Sequence, residues 1–113
     1  MTRTVTKPWG EEIIFAHTER YAGKILKIKQ GGSLSLQYHV MKEESLFLFE
    51  GTMQLTLEVD GRRETRPVLA GEALHFQAGT RHRMEATTDC VLFEVSTPEL
   101  DDVVRLEDRY GRV

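Results

Sequence analysis

A chain of 113 residues, 40% of them hydrophobic and 29% charged, is long enough for one domain with a single core and too short for two functional domains. Its 15 basic and 18 acidic side chains give a formal charge of -3, which argues against nucleic acid as a partner, because phosphate backbones are bound by clustered Lys and Arg. We therefore expect one globular domain over residues 1–113 that binds no nucleic acid.

Eight short segments with alternating or β-branched apolar residues follow one another between glycine-containing turns. In chain order they are EEIIFA, GKILKIK, SLSLQYH, SLFLFEG, MQLTLEVDG, EALHFQAG, HRMEAT and CVLFEVS. No segment before residue 98 has the 3.6-residue period of a helix. The pattern predicts an all-β antiparallel sandwich or barrel, with the basic stretch GRRETR at residues 61–66 as a solvated hairpin end.

The C-terminal segment STPELDDVVRLEDRYGRV departs from this pattern. Its Ser-x-x-Glu start and Pro98 predict a short helix around residues 99–105. The charged residues from Glu107 to Arg112 predict an ordered tail that closes the barrel through ion pairs or docks on a partner subunit.

The location of the protein follows from what the sequence lacks. Cys90 is the only cysteine, so no disulfide forms within the chain, and its place in the run CVLFEV indicates a buried thiol. No apolar stretch reaches the roughly 20 residues that span a bilayer, and the N-terminus lacks a signal peptide's hydrophobic segment. We expect a cytoplasmic protein with no membrane partner.

The short strand around EEIIFA predicts pairing across a two-fold axis, and thus a homodimer.

Four polar residues interrupt the apolar strands at positions that could converge. Gln37 and His39 are two residues apart, so on a strand their side chains project from one face. Glu44 has the wrong parity for an unbroken strand, so the intervening VMKE must turn and place Glu44 beside them. His82 opens another strand after the turn QAGTR. The alternative is that each of these residues is a hydrogen-bonded core or surface residue.

As ligands, these four residues offer two imidazoles, an amide oxygen and a carboxylate. Such a mixed nitrogen and oxygen set suits one divalent Zn, Mn, Fe, Co or Ni ion per chain.

The glycine framework around these residues resembles the two motifs of the cupin superfamily. Residues 31–51 have the spacing of the first motif, with Gln37 where a histidine is usual, and residues 71–82 have the spacing of the second. The resemblance implies a double-stranded β-helix, a barrel related to the jelly roll. It places Gln37, His39, Glu44 and His82 at the four metal-ligand positions.

Four further stretches, KPWGEE, LSLQYH, GTRHRM and DDVVRLEDRYGR, are similar to one particular cupin family. It is the C-terminal domain of bifunctional mannose-1-phosphate guanylyltransferase/mannose-6-phosphate isomerases, the type II phosphomannose isomerase, in which Gln at the first ligand position is expected. The resemblance implies a metal-dependent aldose–ketose isomerase whose small-molecule ligand is a carbohydrate or sugar phosphate. The 113 residues correspond only to the cupin part, so guanylyltransferase activity is not expected.

The chain departs from this family beside the ligand Glu. The family usually reads His-His-Arg-Ala-Glu-His-Trp there, whereas residues 40–46 read VMKEESL. Lys42 keeps the charge of the arginine without its bidentate fork, which matters if that group clamps a phosphate. The rim of the site has therefore changed more than its ligands, and two other functions remain open: a metal- and carbohydrate-binding module without turnover, and a metal-dependent oxygenase.

Isomerisation moves a proton between C1 and C2, so it needs a base and stabilisation of negative charge on oxygen. The candidate catalytic residues are Lys24 and Glu94, whose strands can face the barrel interior, and Lys42. An anionic substrate could be bound by Arg81, Arg83, Arg105 or Arg112, although a surface position is the simpler interpretation of each. A structural role is the simpler interpretation of His75 and Trp9, and none is assigned to His17.

Overall fold

The computed structural model describes residues 2–113, which form eleven β-strands and no helix. The strands are β1 (Arg3–Lys7), β2 (Gly10–His17), β3 (Ala22–Ile28), β4 (Leu36–Tyr38), β5 (Glu44–Glu50), β6 (Thr52–Val59), β7 (Arg62–Leu69), β8 (Ala73–Phe76), β9 (Arg81–Ala86), β10 (Cys90–Ser96) and β11 (Val104–Glu107). Over this range, then, the chain has no helix of the length and apolar character needed to cross a membrane.

The strands form two antiparallel sheets. The six-stranded sheet has the order β1-β2-β3-β10-β5-β8, and the five-stranded sheet has the order β11-β4-β9-β6-β7. Strands β9 and β10, from late in the chain, insert between strands from its first half and so close the structure around its core. The all-β antiparallel architecture predicted from the sequence is confirmed.

The inward-facing rows of side chains are apolar along most of their length and charged at one end. On β10, Leu92 is in the core and Glu94, two residues later, is also buried. On β3, Leu26 and Lys24 have the same relation, and Lys24 is the direct register partner of Glu94. Because residues two apart share a face, the charged side chains continue the core rather than lying outside it.

Strands β1, β7 and β11 were not expected from the sequence. The stretch GRRETR begins β7, whose first six residues are exposed and therefore show no apolar alternation. It pairs with β6 because Asp60 and Gly61, with φ of 52° and 75°, form the two-residue turn that joins antiparallel strands.

The predicted helix around residues 99–105 is wrong. Residues 104–107 form β11, in which Val104 lies opposite Tyr38 and Arg105 opposite Gln37. β-branched Val103 and Val104 favour an extended backbone, and the pairing satisfies hydrogen-bonding groups of β4 that would otherwise lie at a sheet edge.

The prediction that EEIIFA pairs across a two-fold axis is also wrong. This segment lies in β2, and both of its sides are occupied, by β1 and by β3. The edges of the six-stranded sheet are β1 and β8. A dimer of this protein must therefore use another surface.

The C-terminal tail is ordered by ion pairs, as one alternative predicted. The carboxylate of Asp108 accepts hydrogen bonds from the backbone and guanidinium of Arg112, each at 2.8 Å, and Arg109 pairs with Glu85 at 2.7 Å. The Tyr110 hydroxyl accepts a hydrogen bond from the Ser33 amide at 3.2 Å, and its ring packs on the core. These contacts hold the tail against the five-stranded sheet.

The Asp108 carboxylate has no solvent-exposed surface, and its hydrogen bond to Arg112 lowers its pKa to about 2 in spite of burial. A carboxyl group whose pKa is lowered by folding stabilises the protein above its ordinary pKa, and that contribution disappears as the pH falls through the folded value. Asp108→Asn should therefore lower the free energy of unfolding by about 1–2 kcal/mol at pH 7. The difference from wild type should shrink as the pH falls from about 4 towards 2.

Urea denaturation across this pH range measures both effects. Asp60→Asn is the matched control, because Asn tolerates the left-handed backbone of that exposed turn, and its effect should be close to zero. A loss of stability in Asp108→Asn that does not change with pH would contradict the assignment of the ion pair.

Candidate metal centre

Three buried side chains meet between the two sheets. His39 follows β4, Glu44 is the first residue of β5, and His82 lies on β9. Their nearest ligand atoms all lie within 4.8 Å of one another. His39 Nε2 and His82 Nε2 are 3.3 Å and 3.4 Å from the same oxygen, Glu44 Oε1. The structure thus brings together three of the four residues that the sequence predicted as ligands.

The turn that brings Glu44 beside His39 is held by Asp102. The Asp102 carboxylate accepts hydrogen bonds from the amides of Val40, Met41 and Lys42, at 2.9, 2.6 and 2.9 Å. Burial raises the pKa of Asp102, but these three amides outweigh it and keep the pKa below its usual value. The C-terminal segment therefore fixes the loop between two of the candidate ligands.

The hydrogen bonds of the two imidazoles determine which nitrogen faces Glu44. His39 Nδ1–H donates to the Asp102 carbonyl at 2.6 Å, and His82 Nδ1–H donates to the Thr80 carbonyl at 2.8 Å. Because a carbonyl only accepts, Nδ1 carries the hydrogen in each ring, and in the neutral imidazole Nε2 has a lone pair. Both lone pairs are directed at the carboxylate.

This arrangement places two hydrogen-bond acceptors, the Nε2 atoms of His39 and His82, opposite a third, the carboxylate of Glu44. His82 Nε2 is buried and has no hydrogen-bond partner, although it lies 3.4 Å from Glu44 Oε1. Two neutral Nε2 atoms and an ionised carboxylate repel one another unless a cation lies between them. The residues therefore fit a divalent transition metal ion, for which neutral imidazoles anchored through Nδ1 are typical ligands.

The side chains around Glu44 also favour its ionised form. Burial raises the pKa of Glu44, but His39, His82 and Lys42 outweigh it, so the pKa of Glu44 lies far below its usual value. Burial lowers the pKa of His39, but Glu44 more than offsets this and the pKa of His39 is raised. Glu44 is therefore ionised, and its negative charge in turn stabilises the protonated form of His39.

Gln37, the fourth predicted ligand, lies beside the cluster. It is the direct partner of His82 in the pairing of β4 with β9, and its half-buried side chain lines the same cavity as Glu44. Its Oε1 accepts a hydrogen bond from Ser35 Oγ at 2.7 Å. The position fits a ligand, and coordination by Gln37 stays a prediction.

A cavity of about 170 Å³ opens next to the cluster, and all three candidate catalytic residues line it. The buried Lys42 Nζ lies between two carboxylates, 3.0 Å from Glu44 Oε2 and 3.1 Å from Glu94 Oε2. The buried Lys24 Nζ pairs with Glu12 Oε1 at 3.0 Å. The structure therefore places Lys24, Lys42 and Glu94 in one site, and their roles stay predictions.

Burial disfavours the charged form of both Lys42 and Glu94, but nearby charges outweigh it only for Lys42. Burial and the negative charge of Glu44 raise the pKa of Glu94, and the nearby lysines offset this only in part. Burial lowers the pKa of Lys42, but Glu94 and Glu44 outweigh it, so Lys42 remains charged. Lys42 is thus engaged by two carboxylates inside the site and is not a free cation at its rim.

The arginines considered for anion binding separate into two pairs. Arg81 pairs with Glu58 at 3.0 Å and Arg83 lies 3.5 Å from Glu107, and neither lines the cavity. Arg105 and Arg112 do line it.

The remaining residues singled out in the sequence lie elsewhere. Exposed His75 forms a hydrogen bond with Ser45 and lies 2.8 Å from a carboxylate oxygen of Glu43. Exposed His17 donates a hydrogen bond to the Pro98 carbonyl. Buried Trp9 packs in the core, as expected for a structural residue.

Sequence reasoning missed two residues of the site, Glu12 and Asp102. Glu12 is two positions before the buried Ile14 on β2, so strand parity could have placed it inward as a partner for Lys24. Asp102 lies in the stretch DDVVRLED, where the incorrect helix prediction concealed its contact with residues 40–42.

A sequence model of the family described as "Mannose-6-phosphate isomerase C-terminal" matches residues 1–108. The chain belongs to this family. Mannose-1-phosphate guanylyltransferase ManC of Salmonella typhimurium is 36% identical over 100% of this chain, which spans only 24% of that relative's length. The family assignment therefore applies only to the part of the relative that aligns with this chain.

Solved structures agree on the fold. KdgF from Halomonas sp. superposes with a TM-score of 0.74 at 21% identity, over 89% of this chain and 88% of that one. A Bacillus subtilis oxalate decarboxylase with Mn(II) centres superposes with a TM-score of 0.78 at 16% identity, over 99% of this chain and 32% of that one. The predicted cupin barrel is confirmed, and metal binding is known in a protein that shares it.

Proposed function

We propose that residues 1–113 form a single cupin domain that binds one divalent transition metal ion and interconverts an aldose phosphate and a ketose phosphate. The proposed ligands are Gln37, His39, Glu44 and His82, and the ion is Zn, Mn, Fe, Co or Ni. The observation that carries the proposal is the convergence of three buried side chains, His39, Glu44 and His82, beside a cavity lined by charged residues. The family's name supports a sugar phosphate as the substrate.

In this mechanism Glu94 is the base. A buried carboxylate with a raised pKa is a stronger base than an exposed one, and the Lys42 ammonium holds it in place at 3.1 Å. Glu94 accepts the C2 proton of the aldose and returns it to C1, while the hydroxyl proton passes from O2 to O1, so no atom is gained or lost. A divalent cation, when bound, stabilises the negative charge that develops on the substrate oxygens.

One observation favours a second candidate, a metal- and carbohydrate-binding module without turnover. Val40 and Met41, where the family usually has two histidines, are apolar and 60% and 69% exposed. Lys42 is held by two carboxylates and cannot also clamp a phosphate at the rim. A module of this kind would keep the metal and lose the reaction.

The first test concerns the metal. Purified protein should contain close to one divalent transition metal ion per chain, measured by elemental analysis. Because His39 and His82 would each supply one ligand, His39→Ala and His82→Ala should each lower occupancy at least about tenfold. His75→Ala is the matched control, since His75 is exposed and outside the cluster, and it should keep the ion. Full occupancy in both cluster variants would contradict the site.

The second test concerns the reaction. Metal-loaded protein should convert mannose 6-phosphate into fructose 6-phosphate and exchange the C2 proton with solvent deuterium, followed by NMR. Glu94→Gln should slow exchange by about 100-fold or more with unchanged metal content, because the base is lost and the shape is kept. Glu64→Gln, at an exposed position on β7, is the control. Full activity in Glu94→Gln would reject Glu94 as the base, and a loaded wild type without exchange would favour the binding module.

An apolar patch on the outer face of the six-stranded sheet supports a homodimer. Its side chains are between 37% and 58% exposed and are Phe15, Phe47, Phe49, Phe93 and Val95. Val91, on the same face, has Lys27 as its register partner on one side and Glu50 on the other. A two-fold axis along β10 would place Lys27 of each copy over Glu50 of the other, so the patch is complementary to itself.

The third test concerns this dimer. Sedimentation equilibrium at micromolar concentration should show a dimer for wild type and a folded monomer for Phe93→Glu, which buries a charge at the centre of the interface. Val59→Glu, at an exposed apolar position on the other sheet, should remain dimeric. Lys27→Glu and Glu50→Lys should each weaken the dimer, and the double variant should restore it. A monomeric wild type would reject the proposal.

A further inference from the structure

In the part of the chain that the structure describes, Arg105 is a half-buried cation that forms no salt bridge. Its side chain lines the cavity beside the candidate metal centre. Its Nε is buried and has no hydrogen-bond acceptor among residues 2–113. A guanidinium is always charged, so leaving it partly desolvated and unpaired costs free energy unless an anion completes it.

The other basic side chains at the cavity wall are mostly neutralised within the protein. Lys42 is held by Glu44 and Glu94, while Lys24 and Lys7 share Glu12 at 3.0 and 3.5 Å. The remaining two are Arg112, paired with Asp108 at 2.8 Å, and Arg3, which lies exposed on the edge strand β1.

The positive charge of Arg105 also helps to lower the pKa of the Asp108 carboxyl group. Both of its oxygens accept hydrogen bonds from Arg112, at 2.8 Å, so they are already engaged. Arg105 therefore keeps its donors for a group that comes from outside the chain.

The sheet places Arg105 at a defined distance from the metal centre. Gln37 on β4 is the register partner of Arg105 on one side and of His82 on the other. The backbones of Arg105 and His82 are therefore two strand spacings apart, or roughly 10 Å. A small ligand can reach both residues at once, with one end at the metal centre and the other at the guanidinium.

We propose that Arg105 is the anion-binding residue of the cavity and that it binds the phosphate monoester group of the ligand. A guanidinium matches phosphate through two parallel N–H donors, which an ammonium cannot do. Arg105 would thus bind the phosphate in place of the arginine that the family usually has at position 42. The lysine at that position is neutralised by Glu44 and Glu94. The identity of the ligand as a sugar phosphate rests on the proposed function, whereas the binding of phosphate does not.

The experiment compares affinities for mannose 6-phosphate and mannose by calorimetry, on the metal-loaded full chain. Arg105→Gln should weaken binding of the phosphate ester about 10- to 100-fold and leave binding of mannose unchanged. Arg105→Lys, which keeps the charge without the fork, should fall between wild type and Arg105→Gln. Arg81→Gln should bind like wild type, because Arg81, on β9, lies outside the cavity and pairs with Glu58.

A measurement on the wild-type protein keeps the proposal testable if the variants fold poorly. In 15N NMR spectra, the Nε–H resonance of Arg105, identified by its loss in Arg105→Lys, should shift when inorganic phosphate is added. Phosphate binding that depends on Arg105 in a protein without isomerase activity would support this inference while the proposed reaction fails. Equal ester affinity in wild type and Arg105→Gln, or an unshifted Arg105 resonance at saturating phosphate, would overturn it.

Discussion

The carboxylate of Glu44 is a negative charge buried between two sheets, and its need for positive partners organises the interior of the barrel. An isolated buried carboxylate costs several kcal/mol, so it persists only where cations or donors surround it. Lys42 supplies one partner at 3.0 Å, and the two imidazoles converge on the other oxygen. The same feature that makes Glu44 costly in an empty barrel makes it a good metal ligand.

The positions of these partners depend on the chain's late segments. Strand β9 carries His82 in between β4 and β6, and the segment before β11 supplies Asp102, which holds the loop that carries Lys42. On the opposite sheet, Glu94 and Lys24 extend the charged network, and Glu12 links Lys24 to Lys7 at the cavity wall. The fold therefore builds the site from both sheets, and removing one charge leaves its neighbours buried without compensation.

How much of this could be predicted from the sequence depends on the range of each interaction. Strand parity placed Gln37 and His39 on one face and required the turn before Glu44, because both are local backbone geometry. The resemblance of the glycine spacing to the cupin motifs implied the barrel. Pairing between distant strands could not be predicted from local patterns. The stretch around Ser96 and Pro98 resembles a helix start, yet residues 104–107 pair with β4, and Asp102 binds amides 60 to 62 positions away. Nothing in the local pattern distinguished Arg105, which forms no ion pair within residues 2–113, from Arg112, which pairs with Asp108 four residues away.

X-ray absorption spectroscopy of the metal-loaded protein would show whether His39 and His82 bind the ion, because imidazole rings give a distinctive multiple-scattering signal at a bound metal. We expect two imidazole ligands together with oxygen ligands in the wild type, and one imidazole ligand at any metal retained by His82→Ala. A bound metal without imidazole ligands in the wild type would show that His39 and His82 do not hold it. In that case the cluster around Glu44 would be a proton-balanced core, and the metal-dependent function proposed for it would be wrong.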